Sequence, residues 1–135
     1  MENNNLEKTT PKEILIVDKD PSVASILDYI LSQSNYKTHV ITTSEEALAY
    51  TKVTPSLSLI ILDFDMPKIN DTPLCKKIVE TNPHLLLLCM AGQNYENYLN
   101  EAYNQGALAA LYKPFDVEDV LLKIQTLFGS ILTQS

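Results

Sequence analysis

The stretch SLIILDFDMP, Ser58 to Pro67, decides how the rest of this chain is read. Leu59, Ile60, Ile61 and Leu62 form an unbroken apolar run, the pattern of a strand buried on both faces of a parallel sheet. The run stops at Asp63, Asp65 follows two residues on, and Pro67 blocks any continuation. A carboxylate at the carboxyl end of a central strand lies where open α/β sheets hold their ligands. A strand followed by a plain acidic turn has the same local appearance, because Asp is a common turn residue. The choice between the two rests on what the other segments bring to the same place.

Upstream, Glu13 to Val17 (EILIV) reads as a short buried strand ending on Asp18. Asp20 and Pro21 have the form of an N-cap followed by a first-turn proline. Val23, Ile26, Leu27, Ile30 and Leu31 then make the apolar stripe of a helix. Lys37 to Ile41 is a second strand, and Thr43 with Glu46 has capping-box spacing for a second helix carrying Ala47 and Leu48. Downstream, Thr72 and Pro73 open a third helix presenting Leu74 and Ile78, and Leu85 to Met90 is another all-apolar strand. Tyr95, Tyr98, Leu99 and Ala102 form a stripe that stops at Gly106, a natural residue just past a helix end. Ala107 to Tyr112 is the last strand, and Asp116 caps a final helix with Val117, Val120, Leu121, Ile124 and Phe128 facing inward.

Five strands alternating with five helices imply right-handed crossovers and a parallel sheet covered on both faces, an α/β doubly wound, three-layer fold. Such a sheet delivers Asp18, Asp63 and Lys113 to one rim, and two acids meeting a lysine there are hard to explain as solvated surface. That convergence favours a functional reading of Asp63.

Composition narrows the classes. With 135 residues, 45% hydrophobic and 20% charged, the chain suits one soluble domain. The net charge of −7 argues against nucleic acid or an anionic membrane as direct partner. Cys75 and Cys89 have no CxxC or Cys–His company, so neither a disulfide framework nor a zinc site is expected, and Cys89 reads as a small core residue. The polar start, MENNNLEKTT, lacks the apolar segment of a signal peptide. No run is long enough to span a bilayer, and a cytoplasmic location fits. His39 and His84 read as surface or strand-start residues.

ILIVDKDPSV, LIILDFDMP and LYKPF, in this order between Lys12 and Phe128, resemble the receiver domain of two-component response regulators. The resemblance implies a flavodoxin-like sheet of strand order 2-1-3-4-5, with residues 12–130 as the receiver domain, 1–11 as a disordered lead-in and 131–135 as a short tail. It implies that Asp63 accepts a phosphoryl group from a histidine kinase or phosphotransfer protein in a phosphorelay. Asp18 and Asp63, with the Asp65 backbone carbonyl, would hold Mg²⁺, and Lys113 would contact the phosphoryl oxygens. The domain would be a signalling protein rather than an enzyme, with helix 4, strand 5 and helix 5 as a face for homodimerisation or a protein target. Leu99 and Tyr103 could contribute to that face.

The chain departs from the family pattern at four places. The second acid that usually follows the first is Lys19, so Asp18, Asp63, Lys19 and Lys113 sum to zero charge where the pattern carries two net negatives. Mg²⁺ binding is therefore expected to be weakened or absent. Lys19 either takes the metal's place as a counter-ion to Asp63 or turns to solvent, leaving Asp20 or Asp65 as substitute ligand. Asp20 is read as a cap ahead of a ligand. The usual hydroxyl at the end of the fourth strand falls on Ala91, or on Met90 with a one-residue shift, and the usual aromatic switch falls on Ala110. Asp71 replaces a common loop Gly, which predicts a different turn. Two alternatives follow: a pseudo-receiver that binds protein without phosphate, and, more remotely, a haloacid-dehalogenase-like phosphatase using Asp63 and Asp65 as nucleophile and acid/base.

Overall fold

The structure, a computed structural model, describes residues 10–92 and 97–133. Most of the polar lead-in, Tyr95 and the last two residues lie outside the described residues. In chain order the elements are β1 (Glu13–Val17), α1 (Pro21–Gln33), β2 (Lys37–Ile41), α2 (Ser44–Val53) and β3 (Leu57–Asp63). They continue as α3 (Leu74–Thr81), β4 (Leu86–Gly92), α4 (Tyr98–Asn104), β5 (Ala109–Lys113) and α5 (Val117–Thr133). The strands form one five-stranded sheet of order β2-β1-β3-β4-β5. Every neighbouring pair is parallel.

Strand parity explains the unbroken apolar runs. Ile14, Ile16, Leu59, Ile61, Leu88 and Met90 pack with Ala24 and Leu27 of α1 and Val120 and Ile124 of α5. Leu15, Val17, Ile60, Leu62, Leu87 and Cys89 face the other way, onto Ala47 of α2, Ile78 of α3 and Tyr98 of α4. The central strands are thus buried on both faces, and each fully buried Leu or Ile contributes about 1.5–3 kcal/mol.

The local signals act as chemistry requires. Asp20 caps α1, its side chain accepting from the Ser22 N–H at 2.9 Å, with Pro21 in the first turn. Thr43 accepts from the Glu46 N–H at 3.4 Å and donates to the Glu46 carboxylate at 2.9 Å, so the two side chains bond each other. At the end of α4 the Gly106 N–H donates to the Tyr103 carbonyl (3.1 Å) and the Ala107 N–H to that of Ala102 (3.0 Å). This is the Schellman closure, and Gly106 carries the φ of 114° that it needs.

Several expectations are corrected. Ala24, Leu27 and Leu31 centre the buried stripe of α1, which turns Ile26 outward, 57% exposed. Val117 is likewise 44% exposed, because Val120 and Ile124 set the inward face of α5. The third helix starts at Leu74 rather than Thr72, with Pro73 at its N-cap. β5 starts two residues later than read and ends one later, so Lys113 closes the strand instead of following it. Asp71 takes φ 65° beside Asn70 at 50°, and Ile69 and Thr72 exchange hydrogen bonds of 3.0 and 2.9 Å across them. A tight two-residue turn therefore forms without Gly, since Asn and Asp are the side chains that best tolerate left-handed backbone.

Candidate functional site

Register brings the functional side chains together. Val17, Leu62 and Cys89 lie in one row across β1, β3 and β4, so the residues after them emerge at the same rim. Asp18 continues β1, its N–H still bonded to the Ile41 carbonyl at 3.3 Å. Asp63 closes β3 opposite Met90, and the Phe64 N–H extends that ladder to the Met90 carbonyl at 2.7 Å. Lys113 reaches back from the end of β5.

The result is a row of alternating charge. The Lys113 ammonium donates to Asp18 Oδ2 at 2.7 Å and lies 3.6 Å from Asp63 Oδ1. The Lys19 ammonium lies 3.5 Å from Asp63 Oδ2. It donates to the Asp65 carboxylate at 2.9 Å and to the Asp65 backbone carbonyl at 2.8 Å. Asp18 Oδ1 accepts from the Asp20 N–H at 2.9 Å, and Asp63 Oδ1 accepts from the Asp65 N–H at 3.3 Å. Asp20 itself stays at the helix cap, exposed to solvent.

Burial sets the electrostatics. The Asp18 and Asp63 side chains are only 1% and 5% exposed, whereas that of Lys19 is 48% exposed along its length. Burial holds the Asp63 carboxyl above its usual range, and the neighbouring Asp18 charge adds to this. Lys113, the Asp65 N–H and Lys19 oppose the shift without cancelling it. The hydrogen bond to Asp65 raises Lys19 in turn, against a smaller opposing effect of burial.

The Mg²⁺ that the resemblance implies needs near-octahedral oxygen ligands. The arrangement here does not fit it. Lys19 already occupies the Asp65 carbonyl and leans on Asp63, while both Asp18 oxygens are taken by Lys113 and the Asp20 N–H. Among the described residues no three His, Cys, Asp or Glu side chains are placed to share a metal.

A cleft, a loop contact and a cysteine pair near the rim carry no signature in the sequence. A cleft of about 490 Å³ opens beside Asp63, between Met66, Lys68, Cys75 and Gln105. The Ser44 hydroxyl, buried at the start of α2, donates to the Pro67 carbonyl at 2.6 Å and pins the loop after Asp63. Cys75 and Cys89 are free but adjacent, their sulfurs 3.9 Å apart. The shared hydrogen bond lowers Cys75 and, with burial, raises Cys89. Ala91 is buried in β4 and Ala110 half-buried in β5, in the core cluster that holds the Tyr98 ring. That ring, fully buried, meets Phe64 edge-on at 5.2 Å and Tyr112 at 5.4 Å. Leu99 (39%) and Tyr103 (50%) on α4, Leu108 (54%) in the connection to β5 and Tyr112 (37%) on β5 are exposed apolar side chains. His39 and His84 are both exposed, and His39 stacks on Tyr50 at 4.6 Å.

Comparison with known proteins agrees with this fold. A family model described as "Response regulator receiver domain" matches residues 14–125. The chain is 28% identical over 116 residues to the alkaline phosphatase synthesis transcriptional regulatory protein PhoP of Bacillus subtilis, covering 86% of this chain and 48% of that protein. It is 26% identical over 117 residues to a two-component response regulator of Oryza sativa, covering 85% and 87%. The chain thus spans about half the length of the Bacillus relative. Among solved structures it resembles a CheY-like receiver domain protein from Methanospirillum hungatei (TM-score 0.82, 25% identity, covering 93% of this chain and 99% of that one). It also resembles the beryllofluoride-activated NtrC4 receiver domain dimer (TM-score 0.78, 30% identity, 88% and 98%).

Proposed function

We propose, from the premise that this chain belongs to the response regulator receiver domain family, that Asp63 is its phosphoacceptor. The family's general role is to take phosphate onto an Asp from a kinase. The observation that carries the assignment to Asp63 is its place between two ammonium groups, 3.6 Å from Lys113 and 3.5 Å from Lys19, at the end of the central strand. A carboxylate attacks an anionic phosphoryl group only where fixed positive charge neutralises the gathering negative charge. Lys113 contacts the phosphoryl oxygens and Asp18 positions Lys113. Mg²⁺ binding through Asp18, Asp63 and the Asp65 carbonyl is weakened or lost because Lys19 stands among those groups.

The donor is a histidine kinase or a histidine phosphotransfer protein, and the domain works in the cytoplasm. No helix among the described residues is long and apolar enough to cross a membrane. The exposed apolar side chains of α4 and β5, Leu99, Tyr103 and Tyr112, support that face as the site of a downstream target or a second copy. With Ala91 and Ala110 lacking the hydroxyl and the ring, the usual readout is replaced. That observation favours one second reading, a pseudo-receiver that binds protein without phosphate. The phosphatase alternative is not favoured, since the Asp65 carboxylate is bonded to Lys19.

Intact mass after incubation with a phosphohistidine-bearing transfer domain tests the reading. A gain of about 80 Da is expected, with borohydride reduction converting residue 63 to homoserine. No gain, or a gain that survives Asp63→Asn, refutes it.

A further inference from the structure

A lysine ammonium presents three donors in roughly tetrahedral directions. Two of those on Lys19 are spent on Asp65, at 2.8 Å to the carbonyl and 2.9 Å to the carboxylate. The third side faces Asp63 Oδ2 at 3.5 Å, beyond a close hydrogen bond. Asp65 thus makes the two close bonds to the cation, while Asp63 Oδ2 stands farther off at 3.5 Å, near enough for the ammonium to reach a group attached to that carboxylate. The stem of Lys19 is half exposed, so the charge reaches the rim without a full desolvation penalty.

We infer that Lys19 is the resident cation of this rim, held in place by Asp65 as a positioning residue. It stands in for a divalent ion, so that phosphoryl transfer to Asp63 runs without added metal. The inference rests on Asp63 being the phosphoacceptor. In the step itself, with a small acyl phosphate as donor, an Asp63 carboxylate oxygen bonds to phosphorus. The bond from phosphorus to the donor's acyl oxygen breaks, and the donor's carboxylate leaves with that electron pair. Asp63 becomes an acyl phosphate and no proton changes hands. The negative charge on the phosphoryl oxygens faces Lys19 on one side and Lys113 on the other.

The test uses the full chain and its Lys19→Asp and Lys19→Met variants, with Mn²⁺ alone as the metal probe and a small acyl phosphate as donor. Mn²⁺ is expected to bind the Lys19→Asp protein at least about tenfold more tightly than the natural chain, because two units of charge change beside the site. Labelling of the natural chain in chelator should stay within about twofold of labelling in Mg²⁺, and Lys19→Met should lose about tenfold or more of the chelator rate. Equal Mn²⁺ affinity of the natural and Lys19→Asp chains overturns the inference. So does labelling of the natural chain that requires Mg²⁺, an outcome that leaves Asp63 as acceptor intact. No labelling in either condition overturns the acceptor assignment and the transfer step with it, while the Mn²⁺ comparison still decides whether Lys19 excludes a metal.

Discussion

Replacing Lys113 with Met keeps the stem and removes the charge. The ammonium lies 2.7 Å from Asp18 and 3.6 Å from Asp63. At an effective dielectric of about 20 these separations correspond to gross attractions of about 6 and about 5 kcal/mol. Most of that is offset by the cost of taking the three charges out of water, so the net worth of the cluster is small. Removing one member is a different matter, because the offset stays behind. Two carboxylates, 1% and 5% exposed, are left without the ammonium that both approach. Stranding a buried charge in this way costs about 3–5 kcal/mol. The 22% exposure of Lys113 admits some water and puts the expectation near 3 kcal/mol. For a chain of 135 residues that is a drop of about 10 °C in Tm, or about 1.5 M in urea midpoint at unchanged slope. Urea unfolding followed by far-ultraviolet circular dichroism at pH 7 measures it. Lys37→Met is the control: Lys37 pairs with Glu13 at 3.7 Å but is 72% exposed, and its loss should cost below about 0.5 kcal/mol. A Lys113→Met protein no less stable than Lys37→Met would refute the burial reasoning.

Asp63→Asn should be more stable than the natural chain at pH 7. The folded state holds the Asp63 proton more tightly than the unfolded state, so its ionised form costs stability above the folded pKa. That cost fades as pH falls through the raised value, and the two proteins should converge below about pH 4; a gap of equal size at both pH values would contradict the sign. Gly106→Ala should cost roughly 2–3 kcal/mol by thermal melting, since the residue has φ 114° and a Cβ there would stand 2.6 Å from a Val79 methyl. Asp71→Gly should gain about 0.5 kcal/mol in the same assay, because Gly relieves the left-handed backbone at φ 65°; no gain would place that turn's strain elsewhere.

The rim was legible to the extent that strand ends were legible. Asp18, Asp63 and Lys113 follow apolar runs whose parallel pairing leaves little freedom in where they emerge, and the structure brings both acids within 4 Å of the Lys113 ammonium. What Lys19 touches was not legible, because its destinations differ only in side-chain rotamer and its anchor is 46 residues away. Ile26 and Val117 show the limit of apolar periodicity: several apolar residues fit a stripe, but neighbouring elements choose its centre. The approach of Cys75 to Cys89 and of Ser44 to Pro67 joins different elements through side chains with no spacing signature. Asp71 was misread for another reason, since the preference for Gly at positive φ is a matter of degree.

Asp18, Lys113, Asp63, Lys19 and Asp65 stand in a line of alternating sign, and each cation there is already shared. A newcomer with negative charge at the midpoint has to draw both lysines toward itself, slackening their hold on the outer acids. One of those acids sits at the mouth of α1 and the other in the turn that leads to α3. Events at the centre would then be felt at both ends of the row at once, by exchange of partners alone.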